Sequence, residues 1–379
     1  MYESRIAADQ LTVTATEGFP PEIDALADRS LSRHGFLRAA WYQGGADRPG
    51  RTLLVRRSGG EIIAALPTVG FGPVIGRLRK ISGSYWPFRA PLIAPDCNPF
   101  ELAQALEDSA VQNLGAVWRL GPTRIDDPAV RLLIEAAQLT SWTVLARPAG
   151  TSWTVDLNAA RANGYPRPSV AKKLRAAWRK LEALGQPRWV DVRGADWSDG
   201  VLETMGAIEA QSWIARTTDG SGAKFLTADH RSVWQHVLGD PVLAEKLCAM
   251  LLMLDDRPIA FSFDLDDGPV RYGIAGSYAE DMKRLNIGKL ANYRALDIAI
   301  AAGQSVLDLG AGDTGYKEEM GAVAGYELED FLFVRHRPAA LVMARVWGAE
   351  VTPERLIELP ERLPAPLPAT LPERLHAHG

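Results

Sequence analysis

Cysteine is scarce in this chain: Cys97 and Cys248 are the only two. One pair cannot build a disulfide framework or a Cys-x-x-Cys metal knuckle, and a reducing, cytoplasmic compartment is the expectation. Cys248 sits inside the apolar run LCAMLLML and reads as a buried, inert thiol. Histidine is nearly as rare. His34, His230, His236, His336, His376 and His378 fall in no ligand spacing, so no metal site is expected. There is no G-x-S-x-G elbow to support a serine triad. No window approaches the ~18 consecutive apolar residues of a membrane span. The leading MYESRIAADQ lacks the apolar core of a secretory leader. Nor is there a basic excess. The net charge of −4 argues against a broad nucleic-acid surface, and no nucleic-acid partner is expected.

What is present suits two folded units. A chain of 379 residues exceeds one ordinary core and fits two domains of ~150–200 residues. Strand-like runs at Leu11–Ala15, Thr52–Arg56 and Glu61–Val69 frame a Ser58-Gly59-Gly60 hairpin turn, with Pro67 ending or edging its strand. A basic segment, Arg77 to Lys80, leads to SGSYWPFRAPLIAP. Its Tyr85, Trp86 and Phe88 suit a cleft wall and equally suit a packed aromatic loop. Helices near Pro99–Asn113 and Pro128–Leu139 alternate with the strands Ala116–Leu120, Thr143–Leu145 and Ser152–Leu157. This is a mixed α/β pattern. The segment NGYPRP at 163–168 is the expected linker.

In the second half, Ser169 reads as the cap of a helix over Val170–Leu184, with Gly185 as its stop. From Arg167 to Arg193 there are eight basic residues and two acidic ones. That face, with Lys173 and Arg175, serves either solvation or contact with an anionic substrate. A helix carrying Glu209 precedes the glycine-rich loop RTTDGSGAK, a candidate lid. Three antiparallel strands follow, joined by the tight polar turns DDRP and DDG. Then comes a loop ending in Gly288, a helix to about Ala302, a strand at Val306–Leu309 and a polar turn with Asp313, Tyr316 and Lys317. Tyr326–Arg335 reads as a strand at a sheet edge. Beyond residue 353 the tetrapeptide PERL recurs at 353, 360 and 372 among further prolines, a composition that builds no core.

The segments LLMLDDRPIAFSFDL, RLNIGKLANYRALDIAIAAG and LDLGAGDTGYKEEMG carry a resemblance. Residues 168–325 resemble the GNAT acyltransferase superfamily, in particular its cellulose-biosynthesis-type acetyltransferases, which are related to the Fem aminoacyltransferases. The resemblance implies tandem GNAT-like domains of α/β (α+β) class, each a mixed, mostly antiparallel sheet flanked by helices. We expect a degenerate copy at 1–165, an acyltransferase domain at 166–345 and a tail at 346–379. It further implies acyl-CoA as co-substrate and an amine acceptor on an envelope glycan, a sphingoid-type lipid base or a related metabolite. Donor contacts would come from Arg284, Asn286, Ile287, Gly288 and Lys289. A backbone N–H at Ala275 or Gly276 would face the developing oxyanion.

Acyl transfer to an amine also needs a base and an acid. Asp313 is the candidate base, with Glu209 second, although an Asp in a turn equally serves to cap it. Tyr316 is the candidate acid. Lys317, Tyr85, Trp86, Lys173 and Arg175 are candidate substrate contacts. Two alternatives remain at this stage: a Fem-like aminoacyl-tRNA-dependent ligase, and a non-catalytic GNAT-fold scaffold.

Overall fold

The computed structural model describes residues 11–72, 77–85, 88–217, 220, 222–312 and 315–348. Trp86, Asp313, three residues of the 216–224 loop and the proline-rich tail lie outside these residues. The strands are β1 (Thr12–Glu17), β2 (Gly50–Arg56), β3 (Ile62–Gly70), β4 (Leu78–Ile81), β5 (Leu92–Ile93), β6 (Val117–Arg124) and β7 (Thr143–Asp156). The second half adds β8 (Pro187–Arg193), β9 (Leu247–Leu254), β10 (Arg257–Asp267), β11 (Val270–Tyr278), β12 (Val306–Ala311) and β13 (Val323–Val334).

All of them join one sheet, in the order β1-β2-β3-β4-β6-β13-β7-β12-β11-β10-β9-β8, with β5 on the flank of β3. The order is a duplication. Antiparallel strands β1 to β4 lead to a parallel pair, β4 with β6. Antiparallel strands β8 to β11 likewise lead to a parallel pair, β11 with β12. The last strand of each half is then exchanged. β13 pairs with β6 of the first half, β7 pairs with β12 of the second, and the two pair with each other in the centre. The fold is thus a tandem GNAT-like α/β arrangement sharing one continuous, mostly antiparallel sheet.

Alternation explains which face meets which helix. Along β10, Phe261, Phe263 and Leu265 enter the large core with Trp41, Phe225 and Trp234. Their neighbour Ala260 packs on the opposite face against Ile287, Leu290 and Ala291 of the Ile287–Ala301 helix. β9 is buried along nearly its whole length because both its faces are covered. The large core also contains Ile23, Leu54, Phe88 and Leu133 of the first half, so it runs across both halves.

Several local expectations are corrected. Pro67 lies inside β3, paired with Thr52, rather than at an edge. It is tolerated because β5 covers β3 at Ala64–Ala65 and β4 covers it at Thr68–Gly70, leaving the proline in the gap between them. Leu78–Ile81, read only as a basic segment, is β4. The two strands expected at Thr143–Leu145 and Ser152–Leu157 are one, β7, which ends at Asp156 and pairs first with β13 and finally with β12. The strand expected at Tyr326–Arg335 is β13, which ends at Val334 and lies at the sheet centre. Local pattern hides this because its partner β6 lies about two hundred residues earlier in the chain. The helix expected from Val170 begins at Pro168, with Arg167 at its cap and no side-chain cap bond from Ser169.

Candidate active site

Three parallel pairs tie β11 to β12: Val270 with Val306, Arg271 with Leu307 and Tyr272 with Asp308. Beyond them the strands part. β11 continues along β10 to Tyr278, while β12 turns its last pairing to β7 through Ala311 and Ser152. A register slip lets Ala275 face Phe263 and Gly273 face Asp264, so Ile274 is a bulge at the point of parting. The opening is a cleft of about 1230 Å³. It is walled by Gly273–Tyr278 on one side and Leu309–Gly312 on the other. Residues of the Ile287–Ala301 helix close one face; Tyr85, Trp213 and Lys224 close the opposite one.

The helix start is adapted to this place. Asn286 sits in the left-handed region at φ 59° and provides no side-chain cap. The first N–H groups of the helix therefore lack a side-chain acceptor and carry its positive dipole end. Asn286, Gly288 and Lys289 line the cleft. Gly288 is required by packing: a Cβ there would lie 2.7 Å from the Tyr278 ring. Ile287 is buried in the core beneath, and Arg284 is exposed on the short turn before it. Lys289 forms an ion pair with Glu319 and holds that carboxyl below its ordinary value.

Inside the cleft, Gly273 and Gly276 of β11 and Ala291 and Ala295 of the helix leave room. Ser262 and Asp264 stand opposite Gly276 and Gly273 on β10 and also line it. The Asp264 carboxylate accepts the Ser262 hydroxyl at 2.9 Å. Burial pushes its pKa up to about 6, against the pull of Arg271 in the other direction. Arg271 itself forks onto Asp266 at 2.7 and 2.8 Å. Asp264 escaped the sequence reading. Its signal was the polar alternation of FSFDLDD within a strand whose two faces are both covered.

The opposite face carries a second polar node. Asp308 accepts from Ser152 Oγ at 2.6 Å, from the Gly310 N–H at 2.7 Å and from the Tyr326 hydroxyl. It thereby joins β12, β7 and β13. Tyr85 reaches in from the first half and donates to Gly273 O at 3.0 Å.

The remaining candidates divide. Tyr316 lines the cleft and is 39% exposed. Lys317 also lines it but is 4% exposed, and its ammonium donates to Gly310 O and Ala311 O, bracing the end of β12. Glu209 stands away from the cleft lining. Its buried carboxylate accepts the Lys224 N–H at 2.9 Å and the Phe225 N–H at 2.7 Å, anchoring the end of the glycine-rich loop. Burial raises its pKa. Lys173 and Arg175 are exposed on the Pro168–Glu182 helix. Arg175 lines a separate groove of about 530 Å³ with Trp178, Arg179, Trp189 and Arg294. Among the described residues no group of three His, Cys, Asp or Glu side chains is placed to hold a metal. No described helix is long and apolar enough to cross a membrane.

Comparison with known proteins agrees with this geometry. Residues 168–318 match the family model of the acetyltransferase (GNAT) domain. A search of curated proteins gave no match. Among solved structures, L-PGS from Bacillus licheniformis superposes with a TM-score of 0.53 at 14% identity, over 87% of this chain and 96% of that one. A C-terminal domain assigned to lysylphosphatidylglycerol synthetase of Agrobacterium fabrum gives 0.52 at 14%, over 86% and 94%. FemX gives 0.52 at 12%, over 85% and 97%. At these identities the likeness is one of fold. The wedge and the helix start beside it both lie within residues 168–318, the part of the chain that matches the GNAT acetyltransferase domain, and this domain makes the protein an acyltransferase.

Proposed function

We propose that the protein transfers an acyl group from a coenzyme A thioester directly to a primary amine in the cleft between β11 and β12. The observation that carries this reading is the parting of those strands after Tyr272, beside a helix start without a side-chain cap. N–H groups at Ile287, Gly288 and Lys289 hold the donor pyrophosphate, with Arg284 and Asn286 beside them. The pantetheine arm follows the unpaired edge of β11, where backbone N–H groups at Ala275 or Gly276 face the thioester oxygen.

The amine nitrogen attacks the thioester carbonyl, the C–N bond forms and the C–S bond breaks. Asp264 takes the amine proton, because it is the buried carboxylate on the cleft wall and its pKa of about 6 suits a base near neutrality. The Tyr316 hydroxyl returns a proton to the departing thiolate. A buried carboxylate on the cleft wall favours short or polar acyl groups over long apolar chains. We divide the chain near residue 165, with the first half donating Tyr85 to the second half's cleft. Cys97 and Cys248 are free and buried, which suits a reducing compartment, and we assign the protein to the cytoplasm.

One observation favours a second reading. The groove of Arg175, Trp178, Arg179, Trp189 and Arg294 joins stacked tryptophans (5.9 Å between ring centroids) to three guanidinium groups. Such a surface would suit an RNA-borne aminoacyl donor, as in a Fem-like ligase. Parallel single-turnover assays with acetyl-CoA and with aminoacyl-tRNA decide between them. Acyl transfer from acetyl-CoA alone supports the first reading; transfer from aminoacyl-tRNA alone rejects it for the second.

A further inference from the structure

The wedge has a vertex, and a residue of the first half stands in it. The last pair between β11 and β12 joins Tyr272 to Asp308. The Tyr85 hydroxyl donates to the carbonyl of the next residue of β11, Gly273, at 3.0 Å. Across the opening, a Cβ at Gly310 of β12 would lie 3.1 Å from the same hydroxyl oxygen. A Cβ at Gly273 would meet Asp308 O at 3.4 Å and Asp264 Oδ1 at 3.7 Å. Tyr85 thus fits between two glycines where the strands part, with Asp264 at the same level.

The ring is a fixed wall. Tyr85 is 5% exposed. It packs on Phe88 at 6.0 Å between centroids, and Phe88 meets Tyr272 edge-on at 4.7 Å and Phe36 at 5.0 Å. The preceding Ser84 hydroxyl donates to Trp41 O at 2.7 Å. Burial, and after it the charge of Asp308, holds the phenol in its protonated, donating form. Behind the ring lies the large apolar core.

The helix start sets the direction of the donor. Gly288 lies against the Tyr278 ring, at the end of β11 away from the vertex. A pantetheine arm that begins there runs back along β11 past Gly276 and Ala275. The acyl group is then aimed at Gly273, at most ~7 Å of strand beyond Ala275 at ~3.3 Å per residue. We infer that Tyr85, supplied by the first half, determines acyl-chain length: its ring closes the vertex and restricts the donor to short-chain acyl-CoA thioesters. This inference rests on the acyl-CoA reading above and names the acyl class that the site takes.

Calorimetric titration of the full chain with coenzyme A, acetyl-CoA, butyryl-CoA and octanoyl-CoA tests it without an acceptor. The wild type should bind acetyl-CoA at least about tenfold more tightly than octanoyl-CoA. Tyr85→Ala and Tyr85→Leu open a path to the apolar core, and each should raise octanoyl-CoA affinity relative to acetyl-CoA by at least about tenfold. Tyr85→Phe should keep the wild-type order, because the ring and not the hydroxyl sets the length. Tyr85→Leu retains an apolar contact with Phe88, so it reads the effect even where Tyr85→Ala fails to fold. Coenzyme A, which carries no acyl group, should still bind Tyr85→Leu, showing that its wedge is intact. Coenzyme A binding with the same chain-length order in wild type, Tyr85→Leu and Tyr85→Ala overturns this inference alone. No binding of coenzyme A or any of its thioesters by the wild type rejects the acyl-CoA reading and this inference with it.

Discussion

At the scale of single residues, Asp264 carries the sharpest consequence. Its carboxyl titrates near 6 because burial disfavours the charge. In the unfolded chain it would titrate near the ordinary 3.8. Between those values the folded state holds one more proton, so stability falls as pH rises from about 4 to about 6 and is level above. As a base the same group must be ionised, so the rate rises through about pH 6 and then flattens. Asp264→Asn should therefore gain ~2–3 kcal/mol of unfolding free energy at pH 7 and lose that pH slope. It should also lower turnover by ~10²–10⁴-fold with donor affinity retained. Denaturant titration and single-turnover kinetics across pH 5–8 check both. Turnover within a factor of two of wild type would remove Asp264 from the chemistry.

At the scale of elements, the exchanged strands matter most. Asp330 on β13 is 1% exposed and binds Arg119 of β6 at 2.7 Å and Arg147 of β7 at 3.0 Å. One carboxylate thus ties three central strands together. Asp330→Ala leaves two guanidinium groups without their counter-ion, and such losses cost ~3–5 kcal/mol. Chemical denaturation should show that decrease, with the cleft residues untouched. A change below 1 kcal/mol would mean that the exchange is held by its backbone ladder alone. The same elements show what the sequence made legible. The three-strand meander of β9, β10 and β11 and the helix after Gly288 were readable, because tight turns and local periodicity announce them. The central position of β13 was not, because it depends on pairing with β6 and β7 across the chain. At the site, the loop before Gly288 and the helix start that lines the cleft were legible through their resemblance. Asp264 and the Asp308–Ser152–Tyr326 node were not, since a polar residue within a strand shows its purpose only once both faces are covered. Lys317 was legible as a site residue, yet its ammonium is engaged by backbone carbonyls that no local pattern predicts.

At the scale of the whole molecule, the strand exchange fuses two copies into one sheet and one large core. The halves should then unfold together. Far-ultraviolet circular dichroism and tryptophan fluorescence should give coincident denaturation curves with a single midpoint, despite a length at which two domains commonly separate. Two resolved midpoints would show that the exchanged strands do not couple the copies. The same fusion makes the cleft composite, with Tyr85 of one copy bonded to Gly273 of the other. The central claim is that this wedge receives the acyl donor. Isothermal titration of coenzyme A into the wild type and into Gly276→Trp tests it most directly. Gly276 lines the cleft, and a Cβ there meets only Phe261 O at 3.5 Å, so the indole is accommodated by filling the wedge. Saturable binding by the wild type, weakened at least tenfold in Gly276→Trp, is the predicted result. Absence of binding by the wild type, or equal affinity in the two proteins, would contradict it.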